Sequence, residues 1–158
     1  MSFEQIQEED IIIRNYRTSD YEATLEILKD LNELFDIGFN EKQWRESSGL
    51  RQFKPNLKRI TLIAELKSTG QVVSMGMIEG VKNTLGQYIG YLDNWATKKE
   101  FIGKGVGKLL ADRAIQILES WGTDSIRINL AYTTDEKLIN IFGKLGFQPI
   151  ITVLEKRF

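Results

Sequence analysis

Two rhythms of apolar residues alternate along this chain, one with period two and one near three and a half, and they predict its elements. Ile11-Ile12-Ile13 and Tyr16 read as a short first strand, and Thr18, Ser19 or Asp20 can cap the helix that follows. In that helix Leu25, Ile27, Leu28, Leu31, Leu34 and Phe35 recur at helical spacing up to Gly38. A second helix is predicted from Asn40 to Gln52, where Phe53-Lys54-Pro55-Asn56 breaks it. Ile60-Thr61-Leu62-Ile63-Ala64-Glu65-Leu66 then turns at Ser68-Thr69-Gly70-Gln71 into Val72-Val73-Ser74-Met75-Gly76-Met77-Ile78, a hairpin.

A fourth strand covers Tyr88 to Thr97. The helix after it carries Val106, Leu109, Leu110, Ala114, Ile117, Leu118 and Trp121 on one face and stops at Gly122. Ile126 to Tyr132 reads as the next strand. The helix beyond has Leu138, Ile141, Phe142 and Leu145 at i, i+3, i+4 and i+7, with Thr133 and Glu136 as a capping box and Gly146 just past its end. A last strand runs from Gln148 to Phe158. The order is β-α-α-β-β-β-α-β-α-β, with no repeat, low-complexity tract or linker, so residues 1–158 are expected to form a single domain.

Composition narrows the chemistry. The chain has 158 residues, 42% of them hydrophobic, enough for a core without staples. It has neither cysteine nor histidine, which removes disulfides, thiolate zinc sites, a cysteine nucleophile, a Ser-His-Asp triad and most transition-metal sites. Twenty-one basic residues against 22 acidic leave a net charge of −1, so no global field favours nucleic acid or an anionic membrane. The N-terminus lacks a signal-peptide pattern and no apolar run reaches bilayer-spanning length, so a soluble cytoplasmic protein, monomer or homodimer, with a small partner is expected.

Between the fourth strand and its helix lies Ile102-Gly103-Lys104-Gly105-Val106-Gly107-Lys108, with three glycines at every second position. Such spacing lets several backbone N–H groups converge on an anion at a helix N-terminus. It is not a Walker A loop, because Ile102 stands where the first glycine belongs and Leu109 where Ser or Thr must follow Lys108. As a dinucleotide fingerprint it would need a third glycine at Lys108 and a strand opening a βαβ unit. A glycine-rich turn with no ligand is the plain alternative.

Taken in order, the hairpin, the strand, the Gly-x-Gly-x-Gly turn with its apolar helix, and the later Phe142-Gly143-Lys144-Leu145-Gly146-Phe147 resemble the GCN5-related N-acetyltransferase (GNAT) superfamily, from Ile11 to the C-terminus. The cofactor motif of that family, Arg or Gln-x-x-Gly-x-Gly or Ala, falls on Ile102, Gly105 and Gly107. Its later motif, Asn-x-x-Ala-x-x-x-Tyr-x-x-x-Gly-Phe, falls on Asp135, Leu138, Phe142, Gly146 and Phe147. The resemblance implies an α/β (α+β), three-layer fold with a mixed, strongly twisted sheet of about six to seven strands flanked by about four helices.

The same resemblance implies acetyl-CoA, or another acyl-CoA, as co-substrate and no metal. Trp95, Ala96 and Thr97 would bind the pantetheine arm through their backbone. Gly103, Lys104, Gly105, Val106, Gly107 and Lys108 would hold the pyrophosphate, with Asp135 and Phe142 also at the cofactor. Lys98, Lys99 and Lys144 are further candidates for phosphate contact. Ile102 in place of Arg or Gln leaves the cradle to work mainly through its backbone.

Acyl transfer to an amine needs a neutral nucleophile, yet an alkylammonium has a pKa near 10, so a base is required. The family's base positions on the fourth strand fall on Tyr91 and Asp93, of which Asp93 is the base or water-positioner expected here; Glu79 is a spare candidate, more simply read as an exposed strand end. The carboxylate of the ribosomal N-terminal branch would fall on Leu130 and is absent. Phe142 replaces the tyrosine that protonates the leaving thiolate, with Tyr132 as a substitute. The acceptor is expected to be a small-molecule or peptide amine reached by direct attack. The rival reading is a CoA-binding sensor of the same fold that has lost catalysis.

Overall fold

The computed structural model describes residues 4–34, 38–46, 58–130 and 136–158. Its regular elements are β1 (Ile11–Asn15), α1 (Tyr21–Leu34), α2 (Glu41–Glu46), β2 (Arg59–Leu66), β3 (Val72–Lys82), β4 (Tyr88–Thr97), α3 (Val106–Ser120), β5 (Ser125–Ile128) and α4 (Glu136–Lys144). The strands form one mixed sheet in the order β1-β2-β3-β4-β5, antiparallel except for the parallel β4–β5 pair that the α3 crossover makes possible.

The two faces of the sheet bury different partners, which gives the three layers. On one face Val106, Leu110, Ala114 and Leu118 of α3 pack on Ile60, Leu62, Ile78 and Leu92. On the other, Ile27 and Leu28 of α1 pack on Ile63, Met75 and Ala96. Glycines close the elements as the sequence predicts. Gly70 (φ +73°) turns the β2–β3 hairpin, Gly122 (φ +79°) follows α3, and Gly146 (φ +95°) follows α4, where Phe147 N–H donates to the Phe142 carbonyl at 3.0 Å.

The ladder between β3 and β4 is interrupted once. Met75 lies opposite Ala96 and Met77 opposite Asp93, so two steps along β3 are matched by three along β4. The extra residue is a β-bulge, and Asn94 there has φ +52°. It reverses the alternation of faces: Leu92 and Trp95 both pack on the α3 side, and Ala96 on the α1 side. Gly76 makes room for the redirected indole, since a Cβ there would lie 2.2 Å from the Trp95 ring.

Three expectations are corrected. Among the described residues the sheet has five strands, not six or seven. β5 ends at Ile128 rather than Tyr132, because its last pair is Leu92 with Ile128 and β4 bulges away immediately afterwards. Residues 148–158 form no strand despite their apolar content; they lie against no sheet edge, and an unpaired strand leaves its N–H and C=O groups unsatisfied. The apolar stripe of α4 consequently meets no sheet, and Leu138, Ile141 and Leu145 are exposed. The expected second helix is seen as α2 alone, and its continuation to Gln52 and the break at Phe53 to Asn56 lie outside the described residues, as does Thr133.

The start of α1 is fixed by charge. Asp20 is 4% exposed and accepts two hydrogen bonds from the Arg14 guanidinium, at 2.8 and 2.9 Å, and one from the Arg17 N–H at 2.7 Å. Arg14 also donates to Glu65 on β2 at 2.9 and 3.0 Å, which ties β1, β2 and the entry to α1 together. Burial alone would raise the Asp20 carboxyl, but the bonds from Arg14 and Arg17 outweigh it and hold the group below its ordinary value. This stabilisation is therefore complete above the unfolded pKa of about 3.9 and is lost as pH falls through the lower folded value. Asp20→Asn should cost roughly 3 kcal/mol at pH 7, with the deficit shrinking below about pH 4, as measured by urea denaturation at both pH values.

Candidate active site

The β4–β5 ladder ends just before the bulge at Asn94, and among the described residues nothing pairs with the β5 side of β4 from Asp93 to Thr97. At the far end of this opening the chain passes through a single 3₁₀ turn at Lys99–Phe101 into the glycine segment. Gly103 has φ +80° and Gly105 φ +89°, conformations that a side chain disfavours. The first backbone hydrogen bond of α3 runs from Leu109 N–H to the Gly105 carbonyl, at 3.3 Å. The N–H groups of Val106, Gly107 and Lys108 thus have no helical acceptor and point out of the helix N-terminus.

Strand and helix meet closely here. A Cβ on Gly107 would sit 3.8 Å from Thr97 Oγ1, and Trp95 Nε1 donates to the Gly107 carbonyl at 3.4 Å. Ser74 Oγ donates to the buried Ala96 carbonyl and lies 3.0 Å from Thr97 Oγ1, holding the strand end from behind. The N-terminal segment closes the other side, where Ile6 N–H donates to the Lys104 carbonyl at 2.8 Å. Of the basic side chains expected to add charge, Lys108 pairs with Asp112 at 3.1 Å and Lys98 with Glu26 at 3.9 Å. Ile102 is exposed, so the cradle is a backbone device.

Tyr91 and Asp93 project from β4 to the face opposite Leu92, as their spacing predicts. They have company that the sequence did not reveal. Arg59, Glu79, Tyr91 and Arg127 are successive cross-strand partners on β2, β3, β4 and β5, forming one row across the sheet. Glu79 is a part-buried member of this row and accepts from Arg59 Nε at 2.8 Å, so its reading as an exposed strand end is corrected. Asp93 stands two residues along β4 from the row. Burial, and secondarily the charge of Glu79, raise its carboxyl above the ordinary value, with Arg59 partly opposing the shift.

Phe142 packs edge-on against Phe147, ring centroids 5.6 Å apart, and no described contact brings it to the cradle. Tyr132 and Asp135 lie outside the described residues. No cluster of metal-ligating side chains occurs among the described residues, and no helix among them is long and apolar enough to cross a membrane.

The sequence profile of the Acetyltransferase (GNAT) family matches residues 24–147. The chain belongs to the GNAT acetyltransferase family. No curated protein sequence matches it. Solved GNAT structures share its fold. An acetyltransferase from Trypanosoma brucei is 19% identical with a TM-score of 0.71, the match covering 94% of this chain and all of the other. Glucosamine-6-phosphate N-acetyltransferase from Arabidopsis thaliana is 18% identical with a TM-score of 0.67, covering 94% and 98%. An aminoglycoside acetyltransferase from an uncultured soil sample, in complex with sisomicin, is 12% identical with a TM-score of 0.72, covering 95% and 97%.

Two consequences of this GNAT geometry can be measured. Gly105→Ala should destabilise the fold by about 1–2 kcal/mol in urea denaturation, because φ +89° is costly for alanine, quite apart from the crowding by the Gln5 side chain. For Asp93 the sign is opposite to that of Asp20. A raised folded pKa means the native state holds its proton longer, so stability falls as pH rises from about 3.9 through the folded value. The melting temperature of Asp93→Asn relative to wild type should therefore increase between pH 4 and pH 7.

Proposed function

We propose that this GNAT domain transfers an acetyl group from acetyl-CoA to a primary amine of a small molecule or peptide, by direct attack and without a covalent enzyme intermediate. The observation that carries the reading is a conjunction along one strand. An open edge from Asp93 to Thr97 leads from a half-buried carboxylate to a glycine-built helix N-terminus with unpaired N–H groups.

The residues present suit the co-substrate. A bis-phosphate requires several converging donors and a favourable dipole, for which the N–H groups of Val106, Gly107 and Lys108 at the start of α3 are suited, and a pantetheine arm requires an unpaired strand edge, for which Trp95, Ala96 and Thr97 are suited. Acetyl-CoA brings the activated thioester carbonyl. Asp93, its carboxyl shifted upward by burial, accepts the proton that the ammonium form of the acceptor must lose. Tyr91 flanks it on the same face. With Phe142 directed at Phe147, no side chain in the described residues occupies the usual acid position, and the thiolate leaves as such or is protonated by water.

That packing of Phe142 also favours a second reading, a CoA-binding sensor of GNAT fold without turnover. Thermal shift with acetyl-CoA tests the part common to both: no stabilisation at saturating concentration would remove the cradle. Thiol release over a panel of amines then separates them. Transfer that falls about 10²-fold or more in Asp93→Asn, with acetyl-CoA binding intact, establishes the enzyme and its base. Binding without release from any amine leaves the sensor.

A further inference from the structure

The row Arg59–Glu79–Tyr91–Arg127 and the adjacent Asp93 carry four charges, and two of them are spent on each other. Arg59 and Glu79 form an ion pair at 2.8 Å. Arg127 and Asp93 are not so matched. The Nε of Arg127 is buried and has no hydrogen-bond partner, and its guanidinium makes no ion pair among the described residues. Asp93 receives no side-chain hydrogen bond from any described residue. A part-buried guanidinium with an unmet Nε and no counter-charge costs free energy, and an anion paired with the guanidinium charge would offset that cost.

The two spare charges are opposite in sign and share one face of the sheet. Arg127 is the partner of Tyr91 on the neighbouring strand, and Asp93 is two residues beyond Tyr91. With strands about 4.8 Å apart and a rise of about 3.3 Å per residue, their Cα atoms are separated by roughly 8 Å. Both face away from the α3 side, where Ile126, Ile128 and Leu92 pack. The cofactor phosphates are an unsuitable match for Arg127, because Thr97, the end of β4 nearest the cradle, is six residues past Tyr91, on the order of 17 Å away.

The geometry points to an acceptor that is itself zwitterionic: a compact amine that presents nitrogen to Asp93 and carries an anionic group, carboxylate or phosphate, held by Arg127. Arg127 is then the specificity-determining residue of the acceptor site, a role that builds on the amine-acceptor reading above. Tyr91, between the two charges, has a hydroxyl that can donate to the same anion. A polycation, by contrast, would place positive charge against Arg127 and be disfavoured.

The test is calorimetric binding to the full chain saturated with CoA, using matched probes. O-phosphoethanolamine is compared with ethanolamine, leucine with leucinamide, and spermidine is included as the polycation. The zwitterionic member of at least one pair should bind about 10- to 100-fold more tightly than its counterpart lacking the anionic group, and the pair that discriminates identifies phosphate or carboxylate. Arg127→Gln should collapse that ratio towards one while acetyl-CoA affinity is retained, and Arg127→Lys should restore part of it. Equal binding within both pairs, tighter binding of spermidine, or discrimination that survives Arg127→Gln overturns the inference. If Arg127→Gln does not fold, the wild-type ratios and Arg127→Lys still decide. Failure of the two readings differs in outcome: Arg127-dependent binding without acetyl transfer sinks transfer alone, and transfer to amines that lack an anionic group, without discrimination, sinks only the zwitterion.

Discussion

The site depends on one extra residue in β4. With Asn94 inserted, β4 pairs with β3 on both sides of the bulge but pairs with β5 only as far as Leu92. The same residue turns Trp95 to the α3 face and Ala96 to the α1 face, placing the indole against Gly76 and the Gly107 carbonyl. An unbulged strand would reverse both side chains and keep the ladder closed. The end of the β4–β5 ladder and the facing of Trp95 and Ala96 are therefore consequences of a single local irregularity, and Trp95 links this strand end to the N-terminus of α3.

The two carboxylates whose ionisation is clearly perturbed illustrate how burial acts with and without partners. Asp20 is deeply buried but surrounded by donors, and it stays ionised to lower pH than usual. Asp93 is less enclosed but lacks donors and has Glu79 for a neighbour, and it is pushed the other way. One group anchors an element and the other is available to take a proton. The difference comes from what faces each carboxylate, since the residue type is the same.

Much of the glycine segment and the helix after it was legible in the chain because its determinants are local. Gly103, Gly105 and Gly107 define a backbone conformation within a few residues, and Val106, Leu110, Ala114 and Leu118 define the face by which α3 docks. The strand boundaries of β4 followed from its flanking turns. The charged row across the sheet was largely hidden. Arg59, Glu79 and Arg127 come from three different strands, and only their register brings them into one row; the period-two pattern of each strand gives a face but not a partner. The C-terminal residues misled for a related reason, since Ile150, Ile151 and Val153 have strand-forming side chains but pair with neither edge of the sheet.

By itself, then, the sequence determined the order of elements as far as α4, the absence of cysteine and histidine chemistry, and a glycine-built turn at the start of α3, because propensity, composition and positive-φ turns act over short stretches of chain. Tertiary structure decided where the β4–β5 ladder ends, that Arg59 spends its charge on Glu79, and that Asp93 and Arg127 share one face of the sheet. Those outcomes depend on a bulge and on cross-strand register, which are set by how separate strands pack together and leave no signature in any one of them.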